Sequence, residues 1–199
     1  MEGLDRMINK TKSDGFTLVE VAIVLVIGGM MLGAVMKGQT MIETFKLQRL
    51  MHDLKSINIA YITYLNMYNA LPGDDARDHG WTGVRAGDSN GWIDSSATEK
   101  ESETHGAWRA LRWAGIVSGN PAAVGNAILP DTPYGGKYYF GNRHFGARIG
   151  KRNCVEVYNL AGNLAESIDI KFDDGIFDSG IITASKEYTE GHVDLYYAL

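Results

Sequence analysis

Twenty-one consecutive residues, Phe16 to Met36, contain a single charge, Glu20. At the usual helical rise such a run spans roughly 31 Å, about the hydrocarbon thickness of a bilayer. A segment of this kind must satisfy its backbone internally as a helix. Its side chains must go into lipid or against other apolar helices. Glu20 stands one turn inside the run, where a carboxylate is costly unless it finds a partner. A polar segment, residues 1–15, precedes the run and ends in Gly15. A secretory signal peptide carries its small-residue cleavage site after the apolar core. Here the glycine stands before the core, so a cut beside it leaves the apolar helix on the mature chain.

The series Gly15-Phe16-Thr17-Leu18-Val19-Glu20, leading into an apolar helix, resembles the cleavage and methylation signature of type IV prepilins and of type II secretion pseudopilins. The resemblance implies that a prepilin peptidase cuts between Gly15 and Phe16 and methylates the new amine of Phe16. It makes Glu20 the acidic residue of the family, used in assembly. It further implies a structural subunit, not an enzyme, that joins identical or related subunits in a helical filament. Storage in the bacterial inner membrane and extraction by an assembly platform and ATPase come with the family. So does a head in the periplasm, or on the cell surface once assembled. The new amine would lie one helical turn from Glu20 on the same face. Amine and carboxylate of neighbouring subunits can then neutralise each other, and breaking such a pair strands a charge. Type IV pilus, type II secretion and competence filaments all fit. Many pilins carry a proline at the place of Lys37 and close a C-terminal loop with a disulfide. This chain has Lys37 there and Cys154 as its only cysteine, as suits a pseudopilin or a minor pilin.

Arg6, Lys10 and Lys12 keep the N-terminal end cytoplasmic by the positive-inside rule and place the C-terminal bulk outside. Residues 1–15 hold three basic and three acidic groups, so the net charge of −5 is unchanged by their removal. The net acidic balance argues against direct nucleic-acid binding, since backbone binding needs a Lys- and Arg-rich surface. An uncleaved signal anchor carrying a periplasmic enzyme or binding module is the alternative reading. It would need convergent titratable groups in a deep pocket, yet the five histidines are scattered and none pairs at ligand spacing.

From Phe16 the next proline is Pro72, so one helix can run from Phe16 to Asn69. Its second part is amphipathic. Leu47, Leu50, Leu54, Ile57, Tyr61, Tyr64 and Tyr68 repeat every three or four residues and predict a core-facing stripe. The organisation expected is a leader at 1–15, a membrane and assembly helix at 16–36, an amphipathic continuation at 37–71 and a head at 72–199. A polar, glycine-rich loop containing Trp81 and Trp92 follows Pro72 to about Glu103 and is expected to dock on the head. A helix is predicted over 106–116 and another over 162–172. Strands are expected at 137–140, 155–158, 181–184 and 193–197 from their aromatic and β-branched content. Gly135, Gly136 and Gly141 read as turns. The class is α+β: a long N-terminal helix and a small, mainly antiparallel sheet.

Asp173, Asp174 and Asp178 form an acidic turn with the oxygen chemistry of a Ca2+ site, although the spacing is not that of an EF-hand. Major pseudopilins bind calcium in a C-terminal loop; the plainer reading is a solvated turn. Apart from such a calcium ion, no cofactor is expected. Asp74, Asp75, Asp78 and His79 make a second acidic cluster at a helix C-terminus, where carboxylates are disfavoured. Arg143, His144, Arg148, Lys151 and Arg152 form a basic run, expected as a solvated face. Cys154 is expected to be a small buried apolar side chain.

Overall fold

The computed structural model describes residues 15–84, 87–94 and 102–199. The leader expected at 1–15 lies outside the described residues except for Gly15. The chain divides into two compact units, residues 1–44 and 45–199. The long helix α1 (Leu18–Tyr68) contributes to both.

From Leu18 to Met36 α1 is apolar on every side apart from Glu20, and among the described residues nothing covers it. Side chains from Leu18 to Met36 are exposed, and Gly28, Gly29 and Gly33 face open space. A window of this helix has the length and hydropathy of a membrane span, with none of it buried. The helix begins two residues later than the periodicity predicts, because Thr17 caps it. It ends at Tyr68, because Asn69 adopts a left-handed φ of 51° while its N–H still bonds the carbonyl of Leu65 at 2.7 Å. Asparagine tolerates that conformation and so serves as the stop.

In the second unit the predicted stripe is the core face of α1. Leu50, Leu54, Ile57, Tyr61 and Tyr64 are buried, and Leu47 and Tyr68 pack against the cluster. Helix α2 (Glu103–Trp113) starts three residues before the expected position and ends sooner. Gly115 takes φ 70°, and the amides of Ile116 and Val117 turn back to the carbonyl of Leu111, so the helix cannot continue. Its buried Ala107, Trp108 and Leu111 face the core, as the pattern predicts.

The sheet contains β1 (Tyr138–Phe145), β2 (Gly150–Ala161), β3 (Ile182–Ala184) and β4 (His192–Ala198), with the short α3 (Gly146–Ile149) between the first two and α4 (Gly162–Phe172) after β2. The spatial order is β1-β2-β4-β3 and every pair is antiparallel. One face carries Tyr138, Phe140, Val155, Val157, Leu195 and Tyr197 and packs on α1. Tyr138 donates to Asp53 at 3.1 Å, and Asn153 donates to the Tyr61 hydroxyl at 3.2 Å. β1 and β2 are much longer than their apolar centres suggest. Asn142, Arg143 and His144 pair with Asn153, Arg152 and Lys151, so the basic run is the far end of a hairpin. Gly141 accordingly lies inside β1 and is not a turn. Both outer edges are occupied. Thr104 accepts the Phe140 N–H at 2.7 Å and the Trp108 indole donates to the Tyr138 carbonyl, while Asp173 accepts the Ile182 N–H at 2.7 Å.

Trp108 is fully buried, packs its ring at a tilt against Phe140 and holds the edge of β1. Trp108→Ala is expected to lower stability by about 3–5 kcal/mol, read as a shift in the denaturant midpoint of the full chain in detergent micelles.

Candidate functional site

Gly15, Phe16 and Thr17 precede the first helical residue, and Phe16 is 86% exposed. What holds them out of the helix is a reciprocal pair. The Thr17 N–H and hydroxyl both donate to one Glu20 carboxylate oxygen at 2.9 Å, and the Glu20 N–H donates back to the Thr17 hydroxyl at 3.2 Å. This is a capping box, in which Thr at the N-cap and Glu three residues on satisfy each other's amides. Two consequences follow for the predicted residues. The Gly15–Phe16 peptide lies outside the helix, as exposed backbone open to a peptidase. Glu20 meets its own chain's donors at one oxygen, which lowers the cost of a carboxylate in an apolar run. The Thr-x-x-Glu spacing was legible in the sequence, and Thr17, the capping partner of Glu20, is the residue that reading passes over.

The cluster after α1 divides in two. Asp75 receives the Arg77 guanidinium at 2.8 Å and the His79 ring at 2.9 Å, and Arg77 also reaches the Tyr68 carbonyl. Burial pushes Asp75 up, but these hydrogen bonds together outweigh it and hold the carboxyl well below the usual carboxylate range. His79 stacks on Trp81, which packs edge-on to Tyr68, so this part of the loop is docked as expected. Asp78 is exposed and bonds only the Gly80 amide. Asp74 turns the other way. It is buried and accepts the amides of Asn90 and Gly91 at 3.0 and 2.8 Å, with Asp88 and Glu103 close by. Burial is the main cause that raises both Asp74 and Glu103 above the ordinary carboxylate value.

In the C-terminal acidic turn the structure brings together Asp169, Asp173 and Asp174, with one oxygen of each within 4.8 Å of the others. Asp178 stands apart from that group: it is exposed, and its backbone carbonyl packs beside Gly146. Asp169 went unselected because it sits inside the apolar pattern of α4, and its partner Tyr188 is 19 residues away. Burial raises Asp169, opposed by the Tyr188 hydroxyl bond and raised further by its two acidic neighbours.

The basic run is not simply solvated. Arg143 pairs at 3.2 Å with Glu156, which is fully buried, and lies over the Tyr196 ring. Tyr158 also donates to Glu156. Lys151 sits over Trp92 at 4.2 Å. Cys154 is buried as expected, and burial pushes its thiol well up, away from a reactive thiolate. Ser102 and His105 touch at 3.0 Å, and both are buried at the start of α2.

Asp75 gives a pH test. Its folded value is depressed, so its stabilisation is present above the ordinary value of 3.8 and is lost as pH falls through that value and below. The thermal midpoint should drop along this acid limb, and Asp75→Asn should flatten the limb at the expense of stability at neutral pH.

Residues 10–36 match the family model described as the prokaryotic N-terminal methylation motif. Among curated proteins and among solved structures, nothing matches the chain. The matched segment contains Gly15, Phe16, the Thr17–Glu20 box and the exposed apolar part of α1, and with it the chain carries the signature of type IV prepilins and pseudopilins.

Proposed function

We propose that the chain is the precursor of a filament subunit, cut between Gly15 and Phe16, N-methylated on Phe16 and assembled through α1 into a type IV pilus-like or type II secretion filament. The observation that carries this reading is the methylation motif at residues 10–36; the Gly15–Phe16 peptide, where this reading puts the cut, lies outside the helix, and the apolar residues that follow are uncovered. A pilin-type motif favours a structural subunit over an enzyme. Before assembly the bilayer covers the first part of α1; afterwards the helices of other subunits do. Removing water and lipid from this surface against like surfaces drives association, and subunits that pack head to tail without closing give a filament.

Glu20 gives the packing its register. One of its oxygens is held by Thr17, leaving the other for the Phe16 amine of a neighbouring subunit. A misregistered subunit would bury an unpaired charge, at about 3–5 kcal/mol. The partners required are a prepilin peptidase, copies of this chain or its relatives, and an inner-membrane platform with its ATPase. The absence of a proline at Lys37 and of a disulfide favours a pseudopilin or a minor pilin.

Mass spectrometry of the protein from its native membrane is expected to show a chain beginning at Phe16 with one added methyl group. An intact Met1 would favour the anchored-enzyme reading. Glu20→Ala is expected to leave membrane insertion unchanged and to reduce filament yield strongly, scored by shearing and electron microscopy. Wild-type filament yield from that variant would remove the pairing argument.

A further inference from the structure

We propose that the cavity beside Trp81, in the loop that follows α1, binds a neutral saccharide ring. The cavity measures about 330 Å³ and is lined by Arg77, Asp78, His79, Trp81 and Val84. That volume stands at the lower end of ligand sites and suits a sugar ring better than a long chain segment. Trp81 is the platform. His79 stacks on one of its faces, with ring centroids 4.5 Å apart and planes inclined by 22°. Tyr68 lies 5.1 Å from His79 and 5.7 Å from Trp81, nearly perpendicular to both, and so stands beside the stacked pair. Neither ring covers the far face of Trp81. A half-buried indole offers an apolar face next to water. One side of a pyranose ring presents C–H groups that match such a face.

The polar lining supplies what the hydroxyls of such a ring need. Asp75 occupies Nε and Nη2 of Arg77, both at 2.8 Å, and Nε2 of His79 at 2.9 Å. Oδ1 of Asp78 accepts the Gly80 amide at 2.8 Å. Among the described residues this leaves Arg77 Nη1, His79 Nδ1 and Asp78 Oδ2 open, so the cavity wall offers donors and an acceptor together. Charge selects against other small ligands. The Arg77 guanidinium is already neutralised by Asp75, so an anion gains little from it, and its presence beside Asp78 opposes a cation. The cavity is also built in advance. On one side the buried Asp75 holds Arg77 and His79. On the other, Arg109 and the Trp113 indole donate to the carbonyls of Gly83 and Thr82 at 2.6 and 3.3 Å. Ordering a loop on binding costs affinity, and a loop already held avoids that cost. The cavity belongs to the second unit, and nothing in it depends on how the N-terminus is processed.

Saturation-transfer NMR tests the site on the full chain in micelles of lauryldimethylamine oxide, a detergent with no sugar headgroup. The probes are glucose, galactose, N-acetylglucosamine and chitotetraose, with choline and inorganic phosphate as charged competitors. Transfer to the ring C–H protons of at least one sugar is expected, with Kd on the order of 1 mM for a single ring. Trp81→Leu should abolish it, whereas Trp81→Phe, which keeps an aromatic face, should retain weakened binding. Asp78→Ala, an exposed change that spares the core, should weaken binding about tenfold or more. Trp92→Ala, elsewhere in the head, should leave it unchanged. Chitotetraose binding more tightly than N-acetylglucosamine assigns the site to a glycan chain, and equal binding to a free sugar; either supports the proposal. Absence of transfer to all four sugars overturns it. So does wild-type binding in Asp78→Ala, whatever Trp81→Leu does, or loss of binding in Trp92→Ala. Tighter binding of choline or phosphate than of every sugar overturns it as well.

Discussion

A helix whose apolar surface its own chain leaves bare is the constraint on which everything else rests. From Leu18 to Met36 the apolar side chains are uncovered among the described residues, whereas from Leu50 to Tyr64 one face of the same helix lies in a closed core. The hydrophobic effect demands that the first surface be covered, and the fold supplies no cover. Lipid and like helices are the two available solvents for it. Glu20 modifies this demand. The capping box with Thr17 lowers the cost of the carboxylate in an apolar run and keeps the Gly15–Phe16 peptide outside the helix. A single local motif therefore sets the start of the helix and holds the Gly15–Phe16 peptide and the Glu20 carboxylate in place.

The features read from periodicity are those set by local rules. The three-four spacing from Leu47 to Tyr68 identified the core face because burial there follows the helix repeat. The α+β class and the approximate sites of all four strands came from aromatic and β-branched clusters. Strand lengths did not, because Asn142 to His144 and Lys151 to Asn153 are polar and alternate poorly. Their pairing is decided across the hairpin by register and by Arg143 closing on the buried Glu156. Helix limits moved where a single backbone conformation intervened, at Thr17, Asn69 and Gly115.

The same division runs through the candidate sites. Gly15, Phe16 and Glu20 follow one another along the chain, so their pattern is visible in a line of text. Asp169 is not, since its environment is made by Tyr188 and by the turn carrying Asp173 and Asp174. Asp178 looked equivalent by spacing, yet the loop points it elsewhere. Asp75 likewise differs from Asp74 only through partners that the fold brings to it, Arg77 and His79 for one and two loop amides for the other.

Thr104 and Asp173, the side chains that occupy the two outer strands, have an effect beyond the head itself. An open strand is a template onto which any extended chain can add, and crowding multiplies such encounters. With a backbone amide on each rim bonded to a side chain of its own chain, the sheet offers less of that template to a second copy. The uncovered apolar helix is left as the larger surface on which copies could meet.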